Sequence, residues 1–215
     1  MTSQEPPSLG VLRTERGLPP GAVSPMRPPP HMLNPDTFNF PVIAEYIEGV
    51  RVDRVFRGDP ELEPAYIAAA RKLVSRGAVA ITASCGFSIR YQAAIAAAVG
   101  VPVVLSSLLL LPTLLRQRPR SAKIAVLTAD SKAFSDDMLG VDDPAERTRI
   151  VIGGIEGGTL WRNGLLRPPP PTDVADIEAD VVACVERVRW GVSTRVHWIS
   201  FGSASHPTHD RSADV

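Results

Sequence analysis

The chain has 215 residues, 44% hydrophobic and 21% charged, enough to bury the core of one large domain or two small ones. Lys plus Arg match Asp plus Glu at 23 each, so no global charge favours nucleic acid or an anionic membrane. Two cysteines are too few for a disulfide framework, and the polar, proline-rich start lacks the apolar stretch of a signal peptide.

In chain order, residues 1–8 are expected to be disordered. "LGVLR" (Leu9–Arg13) reads as a short buried strand, followed by a long Pro/Gly-rich loop through "GLPPGAVSPMRPPPHMLNPDTF". "FPVIAEYIEGV" holds a second strand. "ELEPAYIAAARKLVSRG" predicts a helix with Ile67, Ala70 and Val74 on one face and Gly77 as its stop. "AVAIT" (Ala78–Thr82) is a continuous apolar run of the kind buried in parallel sheets. "GFSIRYQAAIAAAVG" predicts a helix ending at Gly100, "VPVVL" the next strand, and "SSLLLLPTLLRQ" a helix that Pro112 kinks. The run "VPVVLSSLLLLPTLL" is too broken and too short to span a bilayer.

"RQRPRSAK" reads as a linker, after which the rhythm restarts. "KIAVLTAD" and "RIVIGGIEG" predict strands and "RPPPPT" a stiff break. Thr172 then caps a helix with Val174, Ile177, Val181, Val185 and Val188 on one face. "VHWISF" is a final strand. The alternation predicts an α/β fold with mostly parallel sheets in two lobes: a first at 9–118 and a second at 119–215.

Ligands of open parallel sheets collect at the carboxyl ends of strands, where helix N-termini present unpaired amides. Cys85 falls at such a place, ahead of a helix starting near Phe87, and the helix dipole is expected to lower its thiol pKa. Gly86 lets a ligand approach the backbone. The competing reading is a small buried cysteine, which is the one that fits Cys184 on the apolar face of the last helix. Ser106 and Ser107 repeat the geometry after "VPVVL", as N-caps or as anion-binding hydroxyls, and Thr128 after "KIAVLT" carries the same ambiguity. His206, His209 and Asp210 lie near the chain end without a second cluster, so no metal site is expected. "IGGIEGG" lacks dinucleotide-loop spacing and no P-loop occurs.

"NPDTFNFPV", "GAVAITASCGFSIRYQAAIAAAVGVPVVLSSLLLLP" and "KIAVLTAD" together resemble the aspartate/glutamate/hydantoin racemase superfamily, most strongly between Leu73 and Asp130. That resemblance implies two flavodoxin-like lobes related by pseudo-twofold symmetry and a cofactor-independent site between them. Cysteines from opposite lobes flank the substrate carbon, one taking the α-proton and the other supplying a proton to the opposite face. On this resemblance Cys85 is the first-lobe cysteine. Ser84, Gly86, Ser106 and Ser107 surround the substrate carboxylate and Asn34 joins the site, while Thr128 is a substrate-site candidate from its strand-end position alone.

The second lobe departs from the family pattern. "SFGSASHPTHD" takes the place of a strand ending in Glu-Cys-Thr-Asn-Met-Pro, which puts Ser203 where the second cysteine belongs. Similar proteins continue with a further strand and helix, so the second lobe is expected to be shortened. A serine is a far poorer proton shuttle than a thiol. The resemblance thus implies a cytoplasmic racemase or epimerase acting through Cys85 on a small carboxylate or hydantoin-like substrate, impaired at Ser203. A one-cysteine decarboxylase or cis-trans isomerase is the alternative, and a degenerate small-acid binding protein a further one. No cofactor, nucleic acid or membrane partner is expected, and a homo-oligomer is compatible with the reading.

Overall fold

A computed structural model describes residues 6–15, 17–18, 29–190 and 196–200, the last five for their backbone alone. Two parallel sheets organise the chain, as the alternation of strands and helices predicts. The first contains β1 (Ser8–Glu15), β2 (Val42–Arg51), β3 (Ala78–Ala83) and β4 (Val103–Val104), in the order β2-β1-β3-β4. The second contains β5 (Lys123–Thr128), β6 (Ile150–Gly154) and β7 (Val196–Ser200), in the order β6-β5-β7. Each sheet therefore places its first strand between its second and third, so the smaller second sheet repeats the first three positions of the larger one.

The first sheet carries α1 (Val52–Arg57), α2 (Glu63–Ser75), α3 (Gln92–Ala98) and α4 (Leu111–Gln117). The buried stripe of α2 is Tyr66, Ala69, Ala70 and Leu73. Ile67 and Val74, expected at its centre, are only half-buried, because the helix turns its tyrosine inward. The helix stops just ahead of Gly77, at φ 93°, a conformation open to glycine.

Two predicted helices start differently from expectation. "GFSIRY" is a 3-10 helix (Gly86–Tyr91) that becomes α helical only at Gln92, and "SLLL" (Ser107–Leu110) is another, ahead of α4. Pro112 consequently lies in the first turn of α4, where its missing N–H costs nothing, and no mid-helix kink arises. The β4 strand is only two residues long, and the Gln92 side chain extends its pairing. Gln92 Nε2 donates to Val103 O at 2.8 Å and Gln92 Oε1 accepts from Leu105 N at 2.9 Å.

The second sheet carries α5 (Pro144–Arg147), α6 (Thr159–Leu165) and α7 (Val174–Trp190). Helix α7 buries Ile177, Cys184 and Val188, whereas Val174 is 61% exposed. It begins one residue later than a Thr172 cap would place it, and Thr172 Oγ1 instead accepts from Asn163 Nδ2 at 2.9 Å. One core runs through both sheets, from Leu12, Ile81 and Phe87 to Ile124, Val126 and Met138. The linker between the sheets is fastened by Arg149, which is 8% exposed. Its guanidinium donates to the carbonyls of Leu115, Arg118, Pro119 and Ala122 and pairs with Glu146 at 2.6 Å. No helix among the described residues is long and apolar enough to cross a membrane.

Candidate active site at the carboxyl ends of β3 and β4

The ladder between β1 and β3 runs on to Ser84, whose amide donates to Leu12 O at 2.9 Å. Cys85 is the next residue, still extended at φ −116° and ψ 114°, and it opens the 3-10 helix as its N-cap. A short 3-10 turn aligns few peptide dipoles, so the expected depression of the Cys85 thiol pKa does not occur. Burial instead pushes it up to about 11, while the amides of Phe87 and Ser88 work in the opposite direction. Neither amide closes a capping hydrogen bond of normal geometry onto the side chain. The residue as a whole, backbone included, is half-buried.

β3 and β4 are neighbours, pairing Ile81 with Val103 and Thr82 with Val104, so Cys85 and the Ser106–Ser107 pair leave adjacent strands at one edge of the sheet. The 3-10 turns that follow them touch each other. Ser106 is buried and its Oγ accepts from Leu108 N at 3.2 Å, which is a capping role. Ser107 and Ser84 are half-buried, and Gly86 is buried. The Ser107–Leu110 turn also touches the turn at Asp136–Leu139 and strand β7, which brings this edge against the second sheet.

The remaining predicted residues are more dispersed. Asn34 is buried and caps its own turn, with Oδ1 accepting from Asp36 N at 2.8 Å. Thr128 ends β5 in the second sheet, 3% exposed, and its Oγ1 has no hydrogen-bond partner among the described residues. A buried hydroxyl without a partner is costly. Ser203, His206, His209 and Asp210 lie outside the described residues. Among the described residues no cluster of His, Cys, Asp and Glu has the makings of a metal site.

Three features of the surroundings escape the sequence reading. Beneath Cys85, Tyr66 from α2 is fully buried, shares a hydrogen bond of 2.8 Å with Ser88 Oγ, and stacks on Tyr91 at 4.3 Å. Tyr91 in turn donates to Asp59 O at 2.7 Å. Beside it, Arg90 lies over Gly58, at φ 68°, and donates to Ala133 O at 2.9 Å in the second sheet's first loop. Third, a pocket of about 280 Å³ lies at the end of β6, walled by Ser131, Glu156, Cys184 and Arg187. Burial works to raise the Glu156 pKa, but the Ser131 hydroxyl and amide and the nearby Arg187 charge hold it below its usual value. Gly153 of "IGGIEGG" serves packing here, since a Cβ on it would lie 2.6 Å from Val188 Cγ2 and 2.9 Å from Cys184 Sγ. Cys184 is buried as expected, and burial raises its thiol pKa against the pull of Arg187.

No family model matches the chain. It is 34% identical over 143 residues to dimethylsulfoniopropionate lyase 2 of Emiliania huxleyi, covering 58% of this chain and 40% of that protein. It is 27% identical over 156 residues to dimethylsulfoniopropionate lyase 7 of the same organism (strain CCMP1516), covering 69% and 44%. A dimethylsulfoniopropionate lyase of Durusdinium sp. clade D is 32% identical over 130 residues, covering 59% and 41%. The chain thus spans less than half the length of these curated relatives. Among solved structures, unliganded arylmalonate decarboxylase aligns over 90% of this chain and 86% of its own, at 14% identity and a TM-score of 0.45, a likeness that carries no argument about activity.

Proposed function

We propose that this chain carries the Cys85 side of a cofactor-independent lyase that removes the proton α to the carboxylate of a small acid bearing a leaving group on its β carbon. The observation that carries the reading is the placement of Cys85. It is a half-buried residue at the carboxyl edge of a parallel sheet, with Ser106 and Ser107 leaving the adjoining strand. The similarity to dimethylsulfoniopropionate lyases supplies the substrate class.

The chemistry needs one base. The Cys85 thiolate takes the Cα proton, the C–H electron pair becomes the Cα–Cβ π bond, and the Cβ–S bond breaks with its electrons on sulfur. Dimethylsulfoniopropionate would give acrylate and neutral dimethyl sulfide, a leaving group that requires no proton. Charge building on the carboxylate is stabilised by hydroxyls and amides already in place, here those around Ser84, Ser106 and Ser107. Racemisation shares the first step but needs a second proton donor on the opposite face.

The high thiol pKa sets the pH profile. Only the thiolate acts, so kcat/KM rises about tenfold per pH unit from pH 7 and levels near the free-enzyme value of about 11. A bound sulfonium cation favours the thiolate, so kcat levels at a lower pH than kcat/KM does. The test is release of dimethyl sulfide from dimethylsulfoniopropionate, followed by headspace gas chromatography. Cys85→Ser should abolish release, and a Cys85→Ser protein as active as the parent would end the proposal.

A further inference from the structure

The mechanism above uses Cys85 but leaves unexplained two hydroxyls buried beneath it. Tyr66 is 0% and Ser88 1% exposed, and they are bonded to each other at 2.8 Å, 22 positions apart in sequence. Burying two hydroxyls in a core is unfavourable unless they are paired, and an apolar pair of the same shape would fill the space equally well. Their arrangement points to a positional role. Ser88 sits on the 3-10 turn whose N-cap is Cys85, and Ser88 N donates to Cys85 O at 3.0 Å. The far end of the same turn is fixed by Tyr91, which stacks on Tyr66 at 4.3 Å and donates to Asp59 O. Tyr66 thus holds the turn at two points, by its hydroxyl at Ser88 in the middle and by its ring at Tyr91 at the far end.

We infer that the Tyr66–Ser88 hydroxyl pair is a positioning device for Cys85, holding the first turn of Gly86–Tyr91 so that the amides of Phe87 and Ser88 stay aimed at the sulfur. The inference rests on the reading of Cys85 as the base and extends it to α2. In the resting protein the amides approach the thiol without a closed bond, and they tighten when the sulfur becomes anionic. Among the described residues, the ionisable groups coupled to Cys85 are Tyr66 from α2 and Tyr91 from the turn itself. Behind Tyr91 stand Asp59, Arg54 and Arg90. The two phenols hold their protons well beyond neutral pH, so the amides are the nearest groups that stabilise the thiolate.

Tyr66→Phe removes the hydroxyl and keeps the ring stack. Loosening one amide that raises the Cys85 pKa by about one unit lowers its alkylation rate about threefold, since lost thiolate is partly offset by greater nucleophilicity. The measurement is the iodoacetamide rate at Cys85 from pH 7 to 9 by peptide mapping, with Cys184 labelling as the control for folding. A rate about threefold lower across that range, with Cys184 still protected, supports the inference. An unchanged or faster rate overturns it. Should Tyr66→Phe expose Cys184, Tyr66→Phe/Ser88→Ala is read instead, because removing both partners leaves no buried hydroxyl unpaired. In that variant a slowed Cys85 supports positioning and a parental rate refutes it. Alkylation needs no substrate, so a slowed Cys85 in a protein that releases no dimethyl sulfide would sink the lyase proposal and keep the pair.

Discussion

Burial places two opposed demands on Cys85. A thiol that holds its proton up to about pH 11 gives a strong base, but one scarce at neutral pH. The sequence position had suggested the reverse, a thiolate favoured by a helix N-terminus. The difference lies in "GFSIRY", whose 3-10 geometry no periodicity signals, since its apolar residues suit either helix type. What the sequence made legible was the location of Cys85 and of Ser106–Ser107 at neighbouring strand ends. The buried partners beneath were not legible, because Tyr66 meets Ser88 only once α2 has packed. Cys85 and Cys184 differ in access, and burial raises the thiol pKa of both. Iodoacetamide at pH 7 should label half-buried Cys85 slowly and buried Cys184 more slowly still, and the Cys85 rate should rise about tenfold per pH unit up to pH 9. A Cys85 rate that is already flat between pH 7 and 9 would mean a depressed pKa and would contradict the burial argument.

At the scale of elements, the strands were the most legible feature, because parallel strands buried on both faces read as unbroken apolar runs. Helix faces were less so. In α7 the expected face is the one that packs, with Ile177, Cys184 and Val188 buried, but its first member Val174 stands in solvent. Arg149 was invisible for another reason. In "ERTRI" it looks like any solvated base, and its partners lie in the linker beside α4, far away in sequence. Its guanidinium donates to the carbonyls of Leu115, Arg118, Pro119 and Ala122 where the chain turns into β5. Arg149→Met keeps most of the volume and removes the cation that Glu146 and those carbonyls share, leaving Pro119 O only the Ala122 amide at 2.9 Å. The expected loss is about 3 kcal/mol or more, on the scale of breaking a buried charged network. Urea unfolding would measure it. A loss under about 1 kcal/mol would show that water replaces the guanidinium without cost.

At the scale of the whole molecule, the repeated strand order matters more than any single contact. β3 lies beside β1 as β7 lies beside β5, with Leu12 opposite Ala83 and Leu127 opposite Ser200. In sequence Ser203 follows β7 as Cys85 follows β3, and it lies outside the described residues. Arg90 and the Ser107–Leu110 turn tie the Cys85 edge to the second sheet, and Arg167 reaches Asp53 across the same divide at 3.5 Å. A two-base racemase would use both segments, whereas elimination with a neutral leaving group uses one. Ser203→Ala separates these demands. On the one-base reading, release of dimethyl sulfide should stay within about twofold of the parent, because the Cβ–S bond breaks without a proton from the second lobe. On the two-base reading, inversion at a chiral α-carbon, followed by deuterium uptake from solvent, should fall by about 10²–10⁴. A hundredfold loss of dimethyl sulfide release in Ser203→Ala, at an unchanged Tm, would place the second lobe in the chemistry and refute elimination by Cys85 alone.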